Sequence, residues 1–117
     1  MEILEVETEE QKNKKIEIEE KAKRDILLAL VAKGELPAPS PLTRSQRKAL
    51  DLTGFNISKS KTTDMMEYSE LAEKMYDWIM DNVYPDFNFD SVANNICTAF
   101  ALYVYKLTYE DIAAEKN

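Results

Sequence analysis

The chain has 117 residues, 44% of them hydrophobic and 32% charged, with a net charge of −7. This length suits one domain with a modest core, and the acidic balance opposes binding to nucleic-acid phosphates or anionic lipid. The lone cysteine excludes an internal disulfide, and the absence of histidine removes the commonest general base and metal ligand.

Residues 1–8, MEILEVET, read equally as a short strand, a first helical turn or a sticky arm. They are acidic and hold no long apolar run, so no signal-peptide pattern is present. No segment reads as a membrane span either, and the expected setting is the cytoplasm. From Thr8 the pattern is helical. Thr8 with Gln11 matches a capping box. Glu10–Lys14, Glu17–Lys21, Glu19–Lys23 and Glu20–Arg24 stand four apart with the acid first, each pair contributing about 0.2–0.5 kcal/mol. This half reads as solvated, with Ile16 and Ile18 as its few apolar contacts. The stretch from Ile26 to Ala32 is apolar and must dock, and Gly34 supplies the stop. Residues 1–36 are thus expected to form a long charged N-terminal helix that projects from the domain.

Pro37, Pro39 and Pro41 make residues 37–42 a stiff extended connector. PAPSP lacks the basic flank of a proline-motif ligand. Residues 43–117 are expected to form the helical core domain. Thr43 with Gln46 opens a short helix that ends at Gly54, and its Arg44, Arg47 and Lys48 are the one locally basic spot. Three cations in an acidic chain read as a solvated face or a seat for the acidic third helix, not as a nucleic-acid contact. Phe55 and Ile57 can pin the next segment to the core, and residues 58–64 are polar. A third helix runs from about Met65 to Tyr84. Glu67, Glu70, Lys74, Asp77 and Asp81 form its polar stripe, opposite Tyr68, Leu71, Ala72, Met75, Ile79 and Val83. Met75 and Met80 read as core, whereas Met65 and Met66 suit core or interface equally.

Pro85 ends that helix, and Asp90 is placed to cap the next one. From Ser91 to Tyr105 there is no charged residue. Val92, Ile96, Ala99, Phe100, Tyr103 and Leu107 share one helical face, with Ala93, Cys97, Ala101 and Val104 beside it. Such a helix has to be surrounded. Thr108 with Asp111 suggests one more short turn after it. The fold class is therefore all-α, a small bundle of four to five helices around a central apolar C-terminal helix.

No catalytic, cofactor or metal site is legible, and the chain does not read as an enzyme. Cys97 lies mid-helix on an apolar surface with no base to activate it. Gly34 and Gly54 are isolated helix stops, not a phosphate loop. Asp86, Asn88 and Asp90 have the first three ligand spacings of a calcium loop. The positions that would need glycine and a bidentate glutamate are Ser91 and Cys97, so the pattern fails. The three residues read as turn formers and a cap. Paired carboxylates such as Glu9–Glu10 and Glu19–Glu20 read as solvated.

Residues 83–117, VYPDFNFDSVANNICTAFALYVYKLTYEDIAAEKN, resemble the end of small tail assembly chaperones of long-tailed bacteriophages and prophages. In that family an acidic amphipathic helix leads into an apolar helix that closes with a Lys-Leu-Thr-Tyr-like segment and an acidic tail. Lys106, Leu107, Thr108 and Tyr109 match that segment here. Residues 42–56, LTRSQRKALDLTGFN, resemble the family's stretch of leucine-threonine, basic helix and glycine. The long charged first helix departs from the family's pattern. The resemblance implies a factor that binds the tape-measure protein, keeps it soluble, helps recruit tail-tube subunits, and is absent from the finished particle. It further implies a frameshifted longer form, for which codons of Glu115, Lys116 and Asn117 could supply a slippery sequence.

A second reading, from a different class, is a small helical adaptor or regulator that acts through dimerisation and partner-helix binding. Apolar positions 16, 18, 22 and 26 onward keep no heptad, which gives a coiled coil little support. The expected partner-binding residues are Leu27, Leu28 and Val31 on the first helix and Met65, Met66, Tyr76 and Met80 on the third. A homo-oligomer is compatible with either reading.

Overall fold

Intrinsic signals set where each helix begins and ends. The structure, a computed structural model, describes residues 9–109, with side chains from Lys14 onward except Ile16. The Thr8–Gln11 box, the alternatives for residues 1–8, and the acidic tail with Asp111 fall outside the described residues. The described residues form four helices: α1 (Glu9–Ala32), α2 (Arg44–Thr53), α3 (Met65–Val83) and α4 (Asn94–Tyr109). Single 3-10 turns lie at Ile57–Lys59 and Phe89–Ser91, and no strand occurs among the described residues. The architecture is the expected all-α bundle around the C-terminal helix.

α1 ends where Gly34 takes a left-handed φ of 79°. The Glu35 N–H reaches back to the Leu30 carbonyl at 2.9 Å and the Gly34 N–H to Val31 at 3.0 Å. These two bonds satisfy carbonyls that a helix end otherwise leaves bare. α2 opens with the full capping box. The Gln46 N–H donates to Thr43 Oγ1 at 3.1 Å, and the Thr43 N–H donates to Gln46 Oε1 at 2.9 Å. α3 is capped by Asp64, whose carboxylate accepts from the N–H groups of Met66 and Glu67.

α4 begins later than its composition suggests. Asn88 captures the chain first, its side chain accepting from the Asp90 N–H at 3.0 Å, and Phe89–Ser91 closes as a 3-10 turn. Asp90 is therefore inside that turn and does not cap α4. Val92 is extended, and the Ala93 carbonyl accepts the first helical bonds, from Ile96 and Cys97. Thr108 stays in α4, where its hydroxyl donates to the Val104 carbonyl and accepts from the Leu42 N–H at 2.8 Å.

The core gathers Leu27 of α1, Leu36 and Leu42 at the ends of the connector, and Leu50 of α2. It continues with Met75, Ile79 and Met80 of α3 and Cys97, Phe100, Ala101 and Val104 of α4. Phe100 is its centre. The Tyr84 ring meets it edge-on at 5.1 Å and the Phe89 ring lies 5.3 Å away, a geometry that adds to simple area burial. Tyr84 also holds the proline connector. Its hydroxyl accepts from the Ser40 N–H at 3.0 Å and donates to the Ala38 carbonyl at 3.2 Å. Alternating prolines leave few N–H groups to satisfy, and Tyr84 and Thr108 take two of them.

Every described side chain from Lys14 to Ile26 is exposed. α1 has 24 residues, about 36 Å of helix, in a molecule measuring 57 × 37 × 34 Å. Among its described side chains, Lys21 pairs four residues on with Asp25 at 3.0 Å, the base first, and Glu20 pairs with Lys106 of α4.

A candidate partner-binding groove

α4 is apolar on nearly all sides, but the bundle covers only part of it. The sealed side carries Cys97, Phe100, Ala101 and Val104. On another side, α1 and α4 diverge and leave an open groove of about 710 Å³. Ile96, Ala99, Leu102, Tyr103 and Leu107 of α4 face it, and Ile26 and Leu27 of α1 close the opposite wall. Its polar rim consists chiefly of Glu20, Lys23, Arg24 and Lys106. Three cations against one carboxylate make this rim locally positive in a chain whose net charge is −7.

The local sequence explains the geometry. Glu20, Lys23, Arg24 and Leu27 stand at i, i+3, i+4 and i+7, so the three charged residues and the leucine share one face of α1. Leu27 anchors that face in the core, and the Glu20–Lys106 ion pair holds the helix near the C-terminal end of α4. Between these two fixed points, apolar side chains remain open to solvent. An apolar floor with a charged rim is the arrangement that takes an amphipathic helix.

The expected interface residues divide. Leu27, 2% exposed, and Met80, 9% exposed, belong to the core, because each continues the stripe by which its helix packs on α4. Val31 and Tyr76 are half-buried against that core, and burial raises the Tyr76 hydroxyl pKa above its ordinary value. Leu28 is exposed on α1. Met65 and Met66 are 80% and 75% exposed at the start of α3. No single surface contains all seven.

The residues of the Lys-Leu-Thr-Tyr segment have structural roles. Lys106 pairs with α1, Thr108 holds the connector, and the Tyr109 hydroxyl accepts from Asn56 Nδ2 at 2.8 Å. Asn56 is only 3% exposed yet fully satisfied. Its amide also donates to Asp51 at 2.7 Å, and its carbonyl oxygen accepts from the N–H and the hydroxyl of Ser58. This junction was not legible in the sequence, where Asn56 looks like one more turn residue. Phe55 and Ile57 pack on the core as their positions suggest.

The basic spot on α2 forms no ion pair with α3 among the described residues. Arg47 pairs with Asp51 of its own helix at 3.0 Å, while Arg44 and Lys48 are solvated. Cys97 is buried, donates weakly to the Phe89 and Val92 carbonyls, and has its pKa raised by burial. No group of acidic or cysteine side chains suited to a metal occurs among the described residues, and no helix is long and apolar enough to cross a membrane.

In comparisons with known proteins, no family model, curated sequence or solved structure matches the chain.

Proposed function

We propose that this chain is a tail assembly chaperone of a long-tailed bacteriophage or prophage, working in the host cytoplasm. In this reading it holds amphipathic helices of the tape-measure protein in the α1–α4 groove, keeps that protein soluble and helps recruit tail-tube subunits around it. The observation that carries the proposal is the groove itself: an open apolar floor between two helices, bordered by charge. A partner helix laid there covers surface that the bundle leaves wet.

The sequence resemblance supplies the identity of the partner. Its two segments also meet in the fold. Leu42 bonds Thr108, and Asn56 bonds Tyr109, so residues 42–56 and the end of α4 form one joint. That joint fixes the end of α4 nearest Lys106 and Leu107, which line the groove.

The test is co-expression with the tape-measure protein encoded beside it. The expected result is a soluble complex that survives purification and is lost when Leu102, on the groove floor, becomes glutamate. A tape-measure protein that stays insoluble alongside the folded chain sinks the reading, and a small helical adaptor then becomes the working description.

A further inference from the structure

The apolar stripe of α3 outruns the bundle. Ala72, Met75 and Ile79 pack in the core, and Tyr68 and Met65 continue the same stripe toward the N-terminus. Yet every residue from Thr63 to Glu70 is exposed, so the first two turns of α3 stand largely uncovered among the described residues. These turns are firmly helical, with Asp64 capping them through two backbone N–H groups. Met65, Met66 and Tyr68 are their exposed apolar residues, and Asp64, Glu67 and Glu70 stand among them. The result is a rigid, acidic, methionine-bearing knob.

The α1–α4 groove has the opposite character. It is concave, with an apolar floor, and Lys23, Arg24 and Lys106 on its rim outnumber Glu20. The knob does not fill its own groove, since both are open within one chain. We propose that the groove of one copy receives the start of α3 from a second copy. Met65, Met66 and Tyr68 then meet the apolar floor, while Glu67 and Glu70 face Lys23 and Arg24. The contact joins unlike surfaces. It therefore either closes a pair through two reciprocal insertions or repeats from copy to copy. Methionine suits such a contact because its flexible thioether fits an irregular floor. The inference stands apart from the tail-assembly reading, because both surfaces belong to this chain; a second copy and a tape-measure helix would compete for the same groove.

Sedimentation velocity of the full chain, from micromolar to millimolar concentration, tests it. The expected result is a mass that rises with concentration and an association that weakens with salt. Two double variants sharpen the test, E67K/E70K on the knob and K23E/R24E on the rim. All four side chains are exposed, so both variants should keep the native circular dichroism. Each should weaken self-association by about tenfold or more, since like charges then face one another. An equimolar mixture of the two should associate again, because the lysine knob of one matches the glutamate rim of the other. A chain that is monomeric throughout overturns the proposal and leaves the groove to a different partner. Association that ignores either double variant, or a mixture that fails to recover, overturns it as well.

Discussion

α4 has two very different sides. Toward α3 and the connector it is sealed: Phe100 sits among Tyr84 and Phe89, Thr108 holds Leu42, and Tyr109 holds Asn56. Toward α1 it is open, with Ile96, Ala99, Tyr103 and Leu107 lining a groove. The residue types on the two sides are alike. What differs is the hydrogen-bonded joints, which draw the connector and α2 tightly onto one side. α1 is held by Leu27, with Leu30 and Val31 packed beside it, and by the Glu20–Lys106 pair. Apolar composition alone does not make a core; covalent and hydrogen-bonded tethers decide which apolar face is covered.

The contrast breaks most readily at its centre. Phe100→Ala removes a fully buried ring that touches two other aromatics. The expected loss is about 3–5 kcal/mol, a large part of the stability of a domain this size. A urea titration followed by circular dichroism measures it, and a loss below about 1 kcal/mol would show that the sealed side is not tightly packed.

Asn56→Ala is the next largest. It strands the Tyr109 hydroxyl, removes one donor from Asp51 and frees Ser58, for an expected cost of about 1–3 kcal/mol. Tyr109→Phe in the same background should then add little, because the two residues share one bond. Full additivity in this double-mutant cycle would mean that the Asn56–Tyr109 bond is not made in solution.

Leu102→Ala probes the other side. Leu102 lines the groove instead of the core, so the expected stability cost is about 1 kcal/mol or less. Its effect should appear in association, through a smaller apolar floor. A stability loss as large as that of Phe100→Ala would mean that the groove is closed in solution.

The helices themselves were legible, because their signals are local. Thr43 with Gln46, Gly34 and Gly54 set boundaries through bonds within a few residues, and the structure shows each of them. Which face of α4 would be buried was not legible. Periodicity grouped Val92, Ile96, Ala99, Phe100, Tyr103 and Leu107 on one face, with Ala93, Cys97, Ala101 and Val104 beside it, and called for the whole helix to be surrounded. The bundle instead seals Cys97, Phe100, Ala101 and Val104 and leaves Ile96, Ala99, Tyr103 and Leu107 half-buried along the groove. A helix apolar all round has a weak preference for any one face, and the choice falls to long-range tethers. The start of α4 was misplaced for a related reason. Asn88 and Asp90 both suit a cap, and Asn88 comes first. In the groove, the signal that could have been read is the spacing of Glu20, Lys23, Arg24 and Leu27, which puts a charged border beside a core anchor.

The smallest expected effect is a dependence on pH that belongs to the sealed side. Lys59 donates to the Asp51 carboxylate at 2.9 Å, Asn56 at 2.7 Å and Arg47 at 3.0 Å. The hydrogen bond from Lys59, then that from Asn56, with the charges of Lys59 and Arg47 adding to them, lower its pKa below the ordinary carboxylate value, against a smaller opposing effect of burial. A folded-state pKa below the unfolded one means that the unfolded chain takes up the proton first as pH falls. The contribution of Asp51 to stability is therefore complete above the ordinary value of about 3.9 and is lost as the pH drops through the lowered one. In Asp51→Asn that part of the acid dependence should vanish: the two proteins differ in urea midpoint near neutrality and approach each other in acid. Parallel curves across the whole range would mean that the carboxylate titrates alike in both states, and the cluster around Asn56 would then be held by its neutral bonds alone.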